Sequence, residues 1–404
     1  MSHEAAPLPD ANLPPFAGGR RLMLGAAIAG AAGLLVTLLG GLASPRPALL
    51  AYLIAFVYWL GLAIGAASLV MANHATGAHW SVTVRRLGEN IAAVVPIFVL
   101  LFVPLFLGAR HIWFWVAPPE AISKETLELL AHKRVYLNLI SFFWRAVAYF
   151  AIWCGIAWRL RALSLQQDET GDPALTISAR RLSAPGLALF ILSLTFASFD
   201  WLMSLQPTWY STIFGLYVYA GAFVASLALI CLITTGLRSS EEPWGKVISV
   251  EQQHNLGKLL LAFTAFWAYM AFSQYMLIWA GNLPEELQWI VTRSRGVWRP
   301  VGQLILLGQF LIPFFLLLSR DLKRSPPALA AVAVWILFIH YVDVYWIVMP
   351  AAGIDQLGLH WTHFTAFVGV GGVSVATALF LLRGTRPVPI RDPFLQDSLR
   401  YVQP

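Results

Sequence analysis

The sequence predicts an all-α, polytopic integral membrane protein of about ten transmembrane helices. Three observations carry this. The 404 residues are 58% hydrophobic and only 12% charged, with a mean hydropathy of +0.69, a balance that a soluble domain does not reach. The apolar residues gather into runs of about 20, the length that crosses a bilayer. The basic residues avoid those runs and sit in the short segments between them.

The runs fall near 22–43, 49–72, 91–108, 136–158, 182–205, 211–236, 256–280, 300–319, 327–349 and 361–382. The third is the shortest and contains Pro96 and Pro104, which predicts a kink or an extension into its flanks. A tail of residues 1–21 precedes this membrane domain of residues 22–382, and a second tail, 383–404, follows it. The longest connections are 109–135 and 159–184, and Glu120 to Arg134 in the first predicts a surface helix. With the N-terminus cytoplasmic, seventeen Lys and Arg fall on the cytoplasmic side and eight opposite. The positive-inside bias therefore places both tails in the cytoplasm.

Composition also excludes function classes. The net charge of +7 comes from arginines flanking apolar runs, so nucleic acid is not implied. Cys154 and Cys231 lie in separate spans without CxxC or CxxCH spacing, so an iron–sulfur cluster or covalent haem of the chain's own is not expected. No phosphate-binding loop or nucleophile elbow occurs. Residues 1–19 lack a basic region running into an apolar core and read as a retained tail, not a signal peptide.

The informative residues are polar ones inside apolar runs. Asp200 lies in Phe199-Asp200-Trp201-Leu202-Met203-Ser204-Leu205-Gln206-Pro207, where Pro207 and the tryptophans suggest a membrane surface. A carboxylate there costs about 2.5–3.5 kcal/mol on insertion scales and needs a partner. Asn138, Ser141 and Arg145 share a face of the preceding span, with the cation near mid-span, and antiparallel counting brings Arg145 to the depth of Asp200. The pair reads equally as a helix lock or as a proton site.

His340 and Asp343, three apart on the ninth span, form a second candidate in which the acid fixes the imidazole. His363 starts the tenth span after His360 and reads as an interfacial side chain bonded to backbone. His340 and His363 differ too much in depth for bis-histidine haem. Lys258, His254, Glu89 and His74 lie near cytoplasmic ends. Snorkelling is their default, and the intake of an inner proton half-channel the alternative. At the opposite surface Gln274, Tyr275, Glu285 and Glu286 make a polar corner. Trp144, Tyr149, Trp201 and Trp209 are candidates to line a pocket for a flat quinone ring.

Two motifs then carry a resemblance: Phe199 to Pro207 with Trp209-Tyr210-Ser211-Thr212, and Ser273-Gln274-Tyr275 with Ile278-Trp279-Ala280-Gly281-Asn282-Leu283-Pro284-Glu285-Glu286. With the ten-span layout they make the chain similar to the polysulfide-reductase or NrfD-like family of quinol-interacting membrane subunits. Within it the chain looks like the ActF-like second subunit of bacterial alternative complex III. The resemblance implies two four-helix bundles, helices two to five and six to nine, with the first and tenth outside. It implies a subunit of the bacterial inner membrane that binds no cofactor of its own, in a complex oxidising menaquinol or ubiquinol. The implied partners are a second NrfD-like membrane subunit, which the resemblance makes the better candidate for the productive quinol site, a periplasmic iron–sulfur subunit, multihaem and monohaem cytochrome c subunits and a terminal oxidase. In this reading Arg145, Asp200, His340, Asp343, Lys258 and Glu89 serve proton movement. A secondary transporter and a purely structural anchor are the alternatives.

Overall fold

The computed structural model describes residues 15–119, 122–239 and 243–402. Among the described residues ten helices are long and apolar enough to cross a membrane: α1 (Arg20–Ala43), α2 (Pro45–Thr76), α3 (His79–Leu107), α4 (Leu139–Thr170), α5 (Pro173–Leu205), α6 (Phe214–Arg238), α7 (Val250–Gly281), α8 (Trp298–Leu318), α9 (Pro326–Ala351) and α10 (Trp361–Leu382). No strand occurs among the described residues. The number agrees with the sequence reading, and several helices run further than their apolar cores. At α7 a capping box explains this, since Ser249 accepts from Glu251 and Gln252 N–H while the Gln252 side chain accepts from Ser249 N–H, starting the helix before its first apolar residues.

The predicted 159–184 loop is a correction. Helix α4 continues to Thr170, and α5 restarts at Pro173. Gly171 takes the left-handed conformation at φ 71°, and Asp172 Oδ1 accepts from Ala174 N–H at 2.8 Å to cap the next helix. The expected surface helix is present at Lys124–Lys133. Helix α3 is broken after Ala92 by a turn leading into Pro96, whereas Pro104 lies inside the helix that follows.

Helices α2 and α6 are the most enclosed. Helix α2 packs against α3, α5, α6, α9 and α10, and α6 against α5, α7 and α9. Helix α1 is largely exposed and meets mainly α10. The N-terminal and C-terminal segments share one face, where Phe16 N–H donates to Thr385 carbonyl at 2.9 Å. That face is called the terminal face below, and the other the opposite face.

The terminal face carries a buried ionic layer. Arg85 meets Glu89 at 3.1 Å and Asp392 at 2.5 Å, while Arg86 meets Glu89 at 3.0 Å and Asp168 at 2.9 Å. Arg161 donates to Asn90 Oδ1 and to the Leu381 carbonyl. Residues 383–402 fold over this layer, and Val388, Leu395 and Leu399 make an apolar cluster with Val82, Trp244 and Val247.

Candidate functional site

Near the opposite face, α4 and α5 bring Arg145 and Asp200 together. Arg145 Nε donates to Oδ2 at 2.8 Å and Nη2 to Oδ1 at 2.7 Å, and Tyr149 hydroxyl donates to Oδ2 at 2.7 Å. Nη1 is occupied by Ser141 Oγ at 2.7 Å and Tyr136 carbonyl at 2.9 Å. The guanidinium lies 3.8 Å over the Tyr136 ring. Burial, reinforced by Asp200, pushes the Tyr136 phenol pKa up and keeps it neutral. Arg145 sits in the second turn of α4, nearer the helix end than the mid-span position expected, because α4 begins only at Leu139. Both carboxylate oxygens are engaged in a bidentate pair, and Oδ2 accepts a second bond from Tyr149.

The expected pocket around Trp144, Tyr149, Trp201 and Trp209 is a correction. Trp144 is 64% exposed on the outer surface of α4, whereas Tyr149, Trp201 and Trp209 are buried. Trp209 stacks on Trp289 with ring centroids 4.3 Å apart, and Trp201 packs among Phe56, Phe102 and Phe150. The Trp201 and Trp209 rings are interior, so they do not mark a surface.

The cavity lies instead against α6, α7, α8 and α9 and the short helix Pro284–Arg293. It measures about 1080 Å³, the scale of a bound organic ligand. Its walls include Tyr217, Trp267, Trp289 and Trp346, with Gln274, Gln303, Arg293 and Arg299 as polar groups. Tyr269, Phe272, Tyr275 and Leu306 are exposed lining residues of membrane-spanning helices, which makes the rim apolar.

Arg293 is 3% exposed and forms no ion pair among the described residues. Its guanidinium lies 3.1 Å from the Trp289 ring centroid and 5.2 Å from that of Trp346. Nη2 donates to Ile347 carbonyl at 2.8 Å, and Nε has no partner among the described residues. Burial without a neighbouring acid pulls its pKa well down, yet a guanidinium stays charged at neutral pH. Gln274 Oε1, on the α7 wall of the cavity, is buried and also has no partner among the described residues.

The inner wall leads to Asp343, about 12 Å in from the end of α9 at the rise of an α-helix. Tyr217, which lines the cavity, donates a hydrogen bond to Asp343 Oδ1. This corrects the His340–Asp343 pair: the acid is held by α6, and His340 Nδ1 has no partner among the described residues. The two residues do share a small cavity of about 30 Å³ with Ser198 and Trp201 on α5. The Asp343 carboxyl is 1% exposed.

The remaining candidates fall apart from this site. Glu89 and His74 are buried, Glu89 within the ionic layer. That corrects the snorkelling assignment, since both side chains are enclosed by the fold and do not reach the surface. His254 is buried and Lys258 half-buried. Glu285 is exposed and Glu286 half-buried in the first turn of Pro284–Arg293, outside the cavity lining. His363 packs edge-on against Tyr345 at 5.3 Å, and His360 caps α10 through Thr362 N–H. Sequence reasoning missed Tyr217, Trp267, Trp289 and Arg293. Trp289 and Arg293 lie four apart after a Pro-Glu-Glu helix start, a spacing that places them on one face.

No family model matches the chain, and no curated protein matches it.

Proposed function

We propose that this chain is a membrane subunit of a quinol-oxidising respiratory complex of the alternative complex III type, seated in a bacterial inner membrane with its terminal face cytoplasmic. The observation that carries the reading is the cavity: apolar at its rim, cationic and amide-lined at its polar end, and joined through Tyr217 to a buried carboxyl. A quinol needs those parts, an apolar path for its tail, aromatic walls for its ring, and a proton acceptor at its hydroxyl.

The chemistry then divides between subunits. Quinol oxidation releases two protons and two electrons, and the electrons pass to partner subunits carrying iron–sulfur and haem c centres. A quinol hydroxyl gives its proton to the Tyr217 oxygen as Tyr217 passes its own to Asp343. Arg293 stabilises negative charge as the hydroxyl proton leaves. Helix contacts within α2–α5 and within α6–α9 are consistent with the two-bundle arrangement of the NrfD-like family. The bidentate Arg145–Asp200 pair supports a packing role for that corner, as the anchor reading holds for these two residues alone.

Mass spectrometry of material purified in mild detergent tests the assembly. Iron–sulfur and multihaem cytochrome c proteins with a second ten-span subunit are expected; a chain that purifies alone sinks the reading. For the cavity, a short-tailed naphthoquinone should quench tryptophan fluorescence of the protein in nanodiscs, and no quenching at saturating quinone would remove the ligand assignment.

A further inference from the structure

Gln309 on α8 is fully buried, and neither its amide nitrogen nor its carbonyl oxygen has a hydrogen-bond partner among the described residues. A primary amide left dry and unpaired is costly, and such a group in a folded protein asks for an explanation. The backbone around it is also unusual. Leu306–Leu311 form a π-helical turn, which holds one residue more than a regular helix would and is frequent at functional sites. Pro313, two residues past the turn, offers no backbone N–H to the carbonyls behind it.

On α8 the cavity lining includes Gly302, Gln303, Ile305, Leu306, Phe310 and Phe314, and from Leu306 onward it is the row Leu306, Phe310 and Phe314. Gln309 stands one residue before Phe310, about 100° around the helix from that row. Relaxing the π turn to a regular α-helix rotates one flank against the other by that same one-residue step. At the pivot, a Cβ on Gly308 would meet the Ile339 side chain at 2.7 Å, so glycine is what lets this turn sit against α9.

We propose that Gln309 is a ligand-binding residue that packs beside the cavity, and that a bound ligand draws it in as the π turn relaxes, putting the carboxamide where Phe310 stands. This rests on the cavity being the quinol site proposed above. A carboxamide suits both redox forms: its N–H donates to a quinone carbonyl, and its Oε1 accepts from a quinol hydroxyl. Gln274, with its own unpartnered oxygen on α7, faces the other side of the same guest.

The test uses the full chain in nanodiscs, titrated with a short-tailed naphthoquinone, together with thermal unfolding of ligand-free protein. Gln309→Leu should weaken quinone binding about tenfold, the scale of one lost hydrogen bond. Its ligand-free unfolding midpoint should equal or exceed that of wild type, because an unpaired amide has gone. Gln309→Met, closer in length, should behave alike and covers the case in which leucine packs badly. Binding within twofold of wild type in both variants overturns the proposal. A lower ligand-free midpoint in both also overturns it, since the amide would then be a structural group. Failure of wild type itself to bind removes the ligand reading, and this proposal with it.

Discussion

Asp200 and Asp343 are buried to the same degree, and their partners separate them. Asp200 receives both arms of Arg145 and the Tyr149 hydroxyl, so Asp200→Asn leaves a partly buried guanidinium short of its counter-charge. Removing one member of a buried pair costs about 3–5 kcal/mol, and the partial exposure of Arg145 places this case at the lower end. The expected outcome is a lower unfolding midpoint in nanodiscs with turnover per folded complex unchanged. Asp343 has a hydroxyl donor but no ion pair among the described residues. Asp343→Asn is therefore expected to keep the fold and quinone binding while quinol-driven proton release falls at least tenfold, read with a pH dye in the intact complex. Unimpaired proton release in that variant would leave Asp343 a packing residue. Both acids were legible in the sequence as charges within apolar runs, and Arg145 was legible from depth counting on adjacent helices. Tyr217 was not, because it meets Asp343 across 126 positions and no local spacing encodes that contact.

Among the elements, α1 depends on one neighbour. Gly30 and Gly33 on α1 face Gly369 and Gly372 on α10 so closely that a Cβ on Gly33 would lie 2.7 Å from the Gly369 nitrogen. Backbone-to-backbone approach of this kind is how membrane helices associate when lipid supplies no hydrophobic drive. Beside it, Thr37 Oγ1 and Thr365 Oγ1 lie 2.8 Å apart. Cysteines placed at Thr37 and Thr365, with Cys154 and Cys231 replaced, should form a disulfide in high yield, and Gly33→Val in that background should reduce the yield several-fold. Equal yields would show that α1 stays docked by other contacts. The run of α1 was plain in the sequence, as were those of the other nine spans. Where helices continue past the bilayer was not, since α4, α5 and α7 extend through polar residues whose caps, not hydropathy, set the ends.

At the scale of the whole molecule, the ionic layer ties the chain's end to its first half. The sequence marked residues 383–404 as a tail because they are too polar to span, and that property says nothing about docking. Three cations, Arg85, Arg86 and Arg161, are buried with three anions, Glu89, Asp168 and Asp392, and Asp392 comes from the C-terminal segment. Its carboxylate is bound by Arg85 Nη2 at 2.5 Å, while Ser398 Oγ donates to Trp80 carbonyl at 2.8 Å and Ser398 carbonyl accepts from Gln252 Nε2 at 2.6 Å. The segment thus bridges α3 and α7, which belong to different halves of the chain. Asp392→Asn leaves the layer one positive charge in excess, and a fall of about 3–5 kcal/mol in stability is expected. Replacing both partners, Arg85→Met with Asp392→Leu, removes the charge imbalance as well as the pair. Well-packed apolar substitutes for a buried ion pair are often neutral or stabilising, although Glu89 then keeps only Arg86. The double variant should therefore recover at least half of the single variant's loss in thermal unfolding. Recovery would show that charge balance, not the particular bonds, holds the segment down; a double variant as unstable as the single one would assign the docking to the geometry around Asp392.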